Sequence, residues 1–188
     1  IYTYARRKEI LPIGSGEYIN LICNKEQLAL VGVDHDSTGG STNDITMTES
    51  DSYILGADIS NINLNVIRPT DGTNNFPFKG NFIGNGHILS GLSKPLFDDI
   101  KLETKDVFIQ DFSIKNSTIN FIPDTITNIG LVANKVLRLH DGASSDFTLS
   151  KINIINSTIE NSISNNISIS NSSRIGFLIG YFENQDTL

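Results

Sequence analysis

The chain has 188 residues and a formal net charge of −7, with a sequence pI near 4.8. That length is one domain of ordinary size, or one module cut from something longer. The acidic balance excludes nucleic acid and anionic membrane as natural partners, since both demand clustered Lys and Arg.

Hydrophobic residues make up 38% of the chain, there is no Trp, and the single cysteine, Cys23, rules out an intrachain disulfide. No run approaches the ~18 apolar residues of a membrane-spanning helix, so membrane insertion is not expected. The sequence opens on Ile1 without a recognisable signal peptide. It is therefore expected to be an excised or processed fragment of a larger parent chain.

Residues 1–50 read as a lead-in and cap. Arg6-Arg7-Lys8 is the one basic cluster and reads as a solvated turn. Tyr18–Ile22 alternates loosely and predicts a strand, and Cys23, in the apolar run Ile19–Cys23, is expected to be a buried, inert thiol. Asn24 followed by Gln27 has the spacing of a capping box, which predicts a short helix over 25–31 with Leu28, Leu30 and Val31 on its apolar side. Its expected task is to cover the open end of a β-stack. His35 lies between Asp34 and Asp36, but one imidazole with sequence neighbours makes a poor metal site; a solvated loop from Asp34 through Asn43 is expected, and no metal or cofactor.

Residues 51–188 have a different texture. Asp44–Thr48, just before them, and Tyr53–Leu55 predict strands, and Ile62, Leu64 and Val66 recur at a spacing of two, which puts them on one face. In 76–92 the core candidates are Phe76, Phe78, Phe82, Ile88 and Leu92. Gly80, Gly84, Gly86 and Gly91 are candidates for positive φ at sharp corners. A repeat follows. Phe112–Ile119 (FSIKNSTI) matches Ile152–Ile159 (INIINSTI), 40 positions on, and Ile129-Gly130-Leu131-Val132 matches Ile175-Gly176-Phe177-Leu178, 46 positions on. Fixed periods in this range mean solenoids or propellers. Short Ile-centred strands among Asn, Ser and Thr favour a β-helix, with Ile and Leu stacked in columns and Asn side chains laddering at the corners. At ~20 residues per rung, each copy predicts two rungs. Val136–Gly142 reads as a strand or turn leading into a loop.

These segments resemble a family. Tyr53–Ile59 (YILGADI) is similar to the opening of bacterial GLUG-motif β-helix domains. Phe78–Ile88 (FKGNFIGNGHI) is similar to their F-x-G-x-F-D-G-N-G-H-x-I segment, with Ile83 where the family usually has Asp. Pro95-Leu96-Phe97 resembles the following G-L-F, and the two Ile-Gly runs resemble the GLUG motif itself. The resemblance spans about residues 50 to 182. It implies an all-β fold, a right-handed parallel β-helix capped by the short N-terminal helix, secreted or on the bacterial cell surface. Such domains occur in adhesins, autotransporter-like passengers and the non-catalytic regions of immunoglobulin-A-peptidase-like proteins. It carries no catalytic residue over.

The leading functional reading is therefore a non-catalytic stalk or recognition module, with a host-surface protein or glycan as partner. The alternative is a carbohydrate-active β-helix enzyme, a polysaccharide hydrolase or lyase. A hydrolase needs two carboxylates ~5–9.5 Å apart, and Asp98, Asp99 and His87 are the only set that offers them. Adjacent Asp98 and Asp99 would point to opposite faces of a strand. An ice-binding face would need a Thr array, and Thr118 and Thr158 are too few. Four Asn-x-Ser/Thr triplets, at Asn116, Asn156, Asn166 and Asn171, read as corner ladders.

Overall fold

The computed structural model describes residues 6–7, 19–32, 52–62, 67, 77–103, 105–121, 128–140, 145–161 and 174–186. Among these the protein is all-β apart from one turn of helix. The expectations for His35, Asp44–Thr48, Leu64, Val66, Phe76, Asn166 and Asn171 fall outside the described residues.

The chain opens with β1 (Arg6–Arg7), antiparallel to β2 (Ile19–Ile22). Next comes α1 (Lys25–Leu28), shorter than the predicted 25–31 and continued by turns to Gly32 at φ 76°. The cap is built as the spacing required. Asn24 Oδ1 accepts from the Gln27 N–H at 2.8 Å, and Gln27 Oε1 accepts from the Cys23 N–H at 2.6 Å. These bonds satisfy donors that a helix start leaves orphaned. They also hold Cys23 outside the core: its side chain is exposed, correcting the buried thiol expected from the sequence. Leu28 and Val31 are buried in the core, and the Gly32 N–H donates to the Tyr53 hydroxyl at 3.2 Å. Asn24→Ala is expected to cost about 1 kcal/mol, read as a lower urea midpoint, with Lys25→Ala near neutral as the control.

Three passes of strands follow, each laid parallel on the one before. The first holds β3 (Ser52–Leu55) with bridges at Ile59, Ile67 and Phe78. The second holds β4 (Asn81–Ile83), β5 (Ile88–Ser90) and β6 (Phe97–Leu102). The third holds β7 (Val107–Lys115), β8 (Thr118–Phe121), β9 (Asn128–Ile129) and β10 (Ala133–His140). A fourth repeats the third: β11 (Phe147–Ile155), β12 (Thr158–Asn161), β13 (Arg174–Ile175) and β14 (Ile179–Asp186). Every pairing after β1–β2 is parallel.

The register follows the sequence repeat. Ile114 pairs with Ile154 and Ile129 with Ile175. Because β7 and β11 are direct neighbours, one repeat makes one pass, not the two rungs expected from its length. Both β4 and β5 pair with β7, because β7 turns at Asp111, whose φ is 65°. Lys151 makes the matching turn in β11 at φ 52°. A second corner is held in all four passes by Asn61, Gly91, Asn116 and Asn156, each with φ between 48° and 73°. Asn and Gly are the residues that reach this left-handed region most readily.

These corners correct two expectations. Gly86 and Gly91 have positive φ, but Gly80 and Gly84 do not; a Cβ on Gly84 would collide with Asp111 and Phe112. The corner ladder is made by serines, not by asparagine side chains. Ser117 Oγ accepts from the Leu92 N–H at 3.0 Å, and Ser157 Oγ accepts from the Ser117 N–H at 3.2 Å.

Side chains pointing between the passes form columns. One is Ile59, Leu89, Ile114 and Ile154; another is Phe78, Ile100, Val136 and Phe182. Leu89, not the half-buried Ile88, supplies β5's residue. Five buried rings thread the passes together: Tyr53–Phe78 at 6.0 Å, Phe78–Phe97 at 4.9 Å, Phe97–Phe82 at 5.5 Å and Phe82–Phe112 at 5.8 Å between centroids. The two contacts of Phe82 are edge-on, an arrangement worth about 0.5–1.5 kcal/mol each beyond burial.

Candidate functional site

The sequence offered His87, Asp98 and Asp99 as one chemical set, and the fold gives them separate neighbours. His87 leaves the tight turn Gly84–Gly86 just before β5, and its Nδ1 lies 3.0 Å from Asp58 Oδ1 of the preceding pass. The same oxygen accepts the Ile88 N–H at 2.9 Å. That backbone bond first, and His87 second, hold the Asp58 carboxyl below its ordinary value. The pair clasps two passes at the first corner.

Asp98 and Asp99 lie in β6, on the three-stranded sheet β6–β10–β14. Both are half-buried, between the buried Phe97 and Ile100. Asp98 Oδ1 accepts from the Asn134 amide at 2.9 Å. Asp99 shares a register row with Lys135 and Tyr181. Around this row the sheet carries a strip of opposite charges. Lys135 Nζ is 3.1 Å from Glu183 and 5.7 Å from the centre of the Tyr181 ring. Glu103 is gripped by Lys101 at 2.7 Å and Lys79 at 3.0 Å, and Lys101 chiefly lowers its carboxyl pKa. Partly exposed pairs of this kind contribute about 0–1 kcal/mol each. What they supply is a fixed row of donors and acceptors beside one aromatic ring.

No family model, no curated protein and no solved structure matches this chain. The arrangement of its residues has to carry the functional argument. Among the described residues no three His, Cys, Asp or Glu side chains converge to hold a metal ion. Among the same residues no helix is long and apolar enough to cross a membrane.

Sequence reasoning missed Asp58, Lys135, Tyr181 and Glu183. Lys135 and Tyr181 stand 46 positions apart, the offset of the second repeat match, so projecting that offset over the following residues would have found the row.

Asp58's lowered pKa has a checkable consequence. A carboxylate whose folded pKa is depressed adds stability above its unfolded pKa and loses it as pH falls through the folded value. Urea midpoints of the native protein and Asp58→Asn are thus expected to differ most near neutral pH and to converge below about pH 4. A gap that widened on acidification would contradict the clasp.

Proposed function

We propose that the chain is a stretch of right-handed parallel β-helix that acts as a non-catalytic stalk or recognition surface of a secreted or surface-exposed bacterial adhesin or passenger protein. The observation that carries this reading is the in-register parallel stacking of equivalent residues through the passes, from Ile59 and Leu89 to Ile114 and Ile154. Stacked passes give a stiff body whose outward side chains recur at the ~4.8 Å strand spacing. The strip of Asp99, Lys101, Lys135, Tyr181 and Glu183 is the outward row best suited to an extended polymer. It offers charged donors and acceptors for hydroxyls and a ring for a sugar face. The GLUG-like segments support the same assignment: Gly130 and Gly180 lie where two passes approach backbone to backbone. The engaged Asp98 and the Asp58-bound His87 favour this reading over a polysaccharide hydrolase or lyase.

The test is a panel of polysaccharides and host glycans incubated with the purified protein, read for binding and for product release. Binding without turnover, weakened by Tyr181→Ala, is the expected result. New reducing ends or unsaturated sugars would overturn the non-catalytic reading. No binding at all would remove the recognition role and leave a spacer.

A further inference from the structure

Where an asparagine turns a corner, the next residue's N–H is held by another pass. Asn61, Asn85 and Asn116 have φ of 55°, 53° and 49°. After them, Ile62 N–H donates to the Ser90 carbonyl at 3.2 Å, Gly86 N–H to the Asp111 carbonyl at 2.8 Å, and Ser117 N–H to Ser157 Oγ at 3.2 Å. The middle corner differs from the other two. Ile62 and Ser117 are buried, whereas Asn85 and Gly86 are both exposed. A Cβ on Gly86 would meet nothing within 4 Å. Asn85-Gly86 is also the one Asn-Gly pair in the chain.

The fold has a reason for this pair. His87 N–H donates to the Gly84 carbonyl at 2.9 Å, which closes a turn with positive φ at both central residues, 53° at Asn85 and 77° at Gly86. Asn and Gly enter that left-handed geometry at the least cost. The same pair carries a chemical weakness. Asparagine is a thermolabile residue, and its carboxamide is most open to attack where the following residue has no side chain to crowd the approach. The attacking atom is the following backbone nitrogen, which must first give up its proton. In the folded chain that proton is bound to the Asp111 carbonyl of the third pass.

We propose that Asn85-Gly86 is a self-modification site controlled by the seating of the second pass on the third. While Asp111 holds the Gly86 N–H, the nitrogen is kept protonated and away from the side chain. When the corner opens, the Gly86 nitrogen loses its proton to solvent and attacks Asn85 Cγ. The N–Cγ bond forms, the Cγ–Nδ2 bond breaks, and the side-chain nitrogen leaves as ammonia. Water then opens the cyclic imide. Attack at Cγ gives an ordinary aspartate; attack at the backbone carbonyl carbon gives isoaspartate, with the main chain running through Cγ. The second product adds one carbon to a turn whose ends are fixed by β4 and β5 on β7. The Gly86 bond to Asp111 and the Ser113 N–H bond to the His87 carbonyl, 3.0 Å long, then no longer fit together, so the corner stays loosened. Asp58, which holds Ile88 N–H and His87 from the first pass, limits how often the turn opens. Nothing in this chemistry depends on glycan binding.

The test is peptide mapping by mass spectrometry of the purified full chain during incubation in mildly alkaline buffer, beside a synthetic peptide of residues 80–92. Hydrogen exchange of the Gly86 amide is followed in the same samples. Conversion at Asn85 is expected to be slower in the folded chain than in the peptide by about tenfold or more, the effect of one retained amide bond. With added urea, the conversion rate and the Gly86 exchange rate are expected to rise in parallel. Asp58→Ala is expected to speed conversion without urea, with isoaspartate among the products. If that variant fails to fold, the urea series on the native chain decides. Conversion of the folded chain at the peptide's rate, or conversion that rises while Gly86 stays protected, would overturn the proposal. So would Gly86 exchange with no conversion at Asn85, equal conversion at Asn116-Ser117, or an unchanged rate in a folded Asp58→Ala chain.

Discussion

Ile114→Asp is expected to destabilise the protein by more than about 4 kcal/mol, enough to unfold it at room temperature or to shift its urea midpoint beyond recognition. Ile114 is fully buried in β7, with Leu89 on one side and Ile154 on the other. A carboxylate there has no water and no cation; it must take up a proton or open the strand. The sequence repeat makes Ile154 equivalent, but the structure does not. Ile154 is only half-buried, in the fourth pass, so Ile154→Asp is expected to cost clearly less. Ser113→Asp, on the neighbouring half-buried position, is the control and should change the midpoint little. Wild-type stability for Ile114→Asp would mean that the register of β7 is wrong.

Gly130→Ala is the second large effect, and its cause is space rather than backbone angle. A Cβ at Gly130 would sit 2.6 Å from the Ala133 carbonyl oxygen, 2.6 Å from that of Leu178 and 2.7 Å from the Gly180 nitrogen. All three are backbone atoms and two belong to the next pass, so no side chain can move aside. Overpacking against rigid backbone is expected to cost about 3 kcal/mol or more, seen as a large drop in thermal midpoint. Gly86 gives the contrast. A Cβ there meets nothing within 4 Å, but its φ is 77°. Gly86→Ala should therefore cost only the left-handed penalty of about 1–2 kcal/mol. Equal losses at the two glycines would refute the close approach.

The parts of this fold that were legible in the sequence are those where one residue type has one cheap conformation. Asn24 and Gln27 announced the helix start, and the cap is built from those side chains. The repeated Asn-Ser-Thr with its Ile residues announced parallel stacking, because β7 and β11 need the same columns. What was not legible depends on chain length per pass. Nothing in the repeat says whether it spans one pass of strands or two, and that decides whether β7 touches β11 at all. The same ignorance hid the row of Asp99, Lys135 and Tyr181, whose members come from three passes. Asn116 serves the corner differently from the side-chain ladder expected of it, and Ser117 supplies the ladder. The asparagine takes the positive φ of the corner, and the next residue's hydroxyl, Ser117 Oγ, accepts from the Leu92 N–H.

The matched offsets differ, 40 positions at the Asn-Ser-Thr corner and 46 at the Ile-Gly run, yet both ends of that difference stay in register. The extra residues enter between β12 and β13 and disturb neither neighbour. The entropic cost of lengthening a connection between two fixed ends grows slowly, by about 0.6 kcal/mol for each doubling. That junction is thus a natural place for grafting: a foreign epitope or affinity tag inserted there should be displayed without unseating the strands on either side.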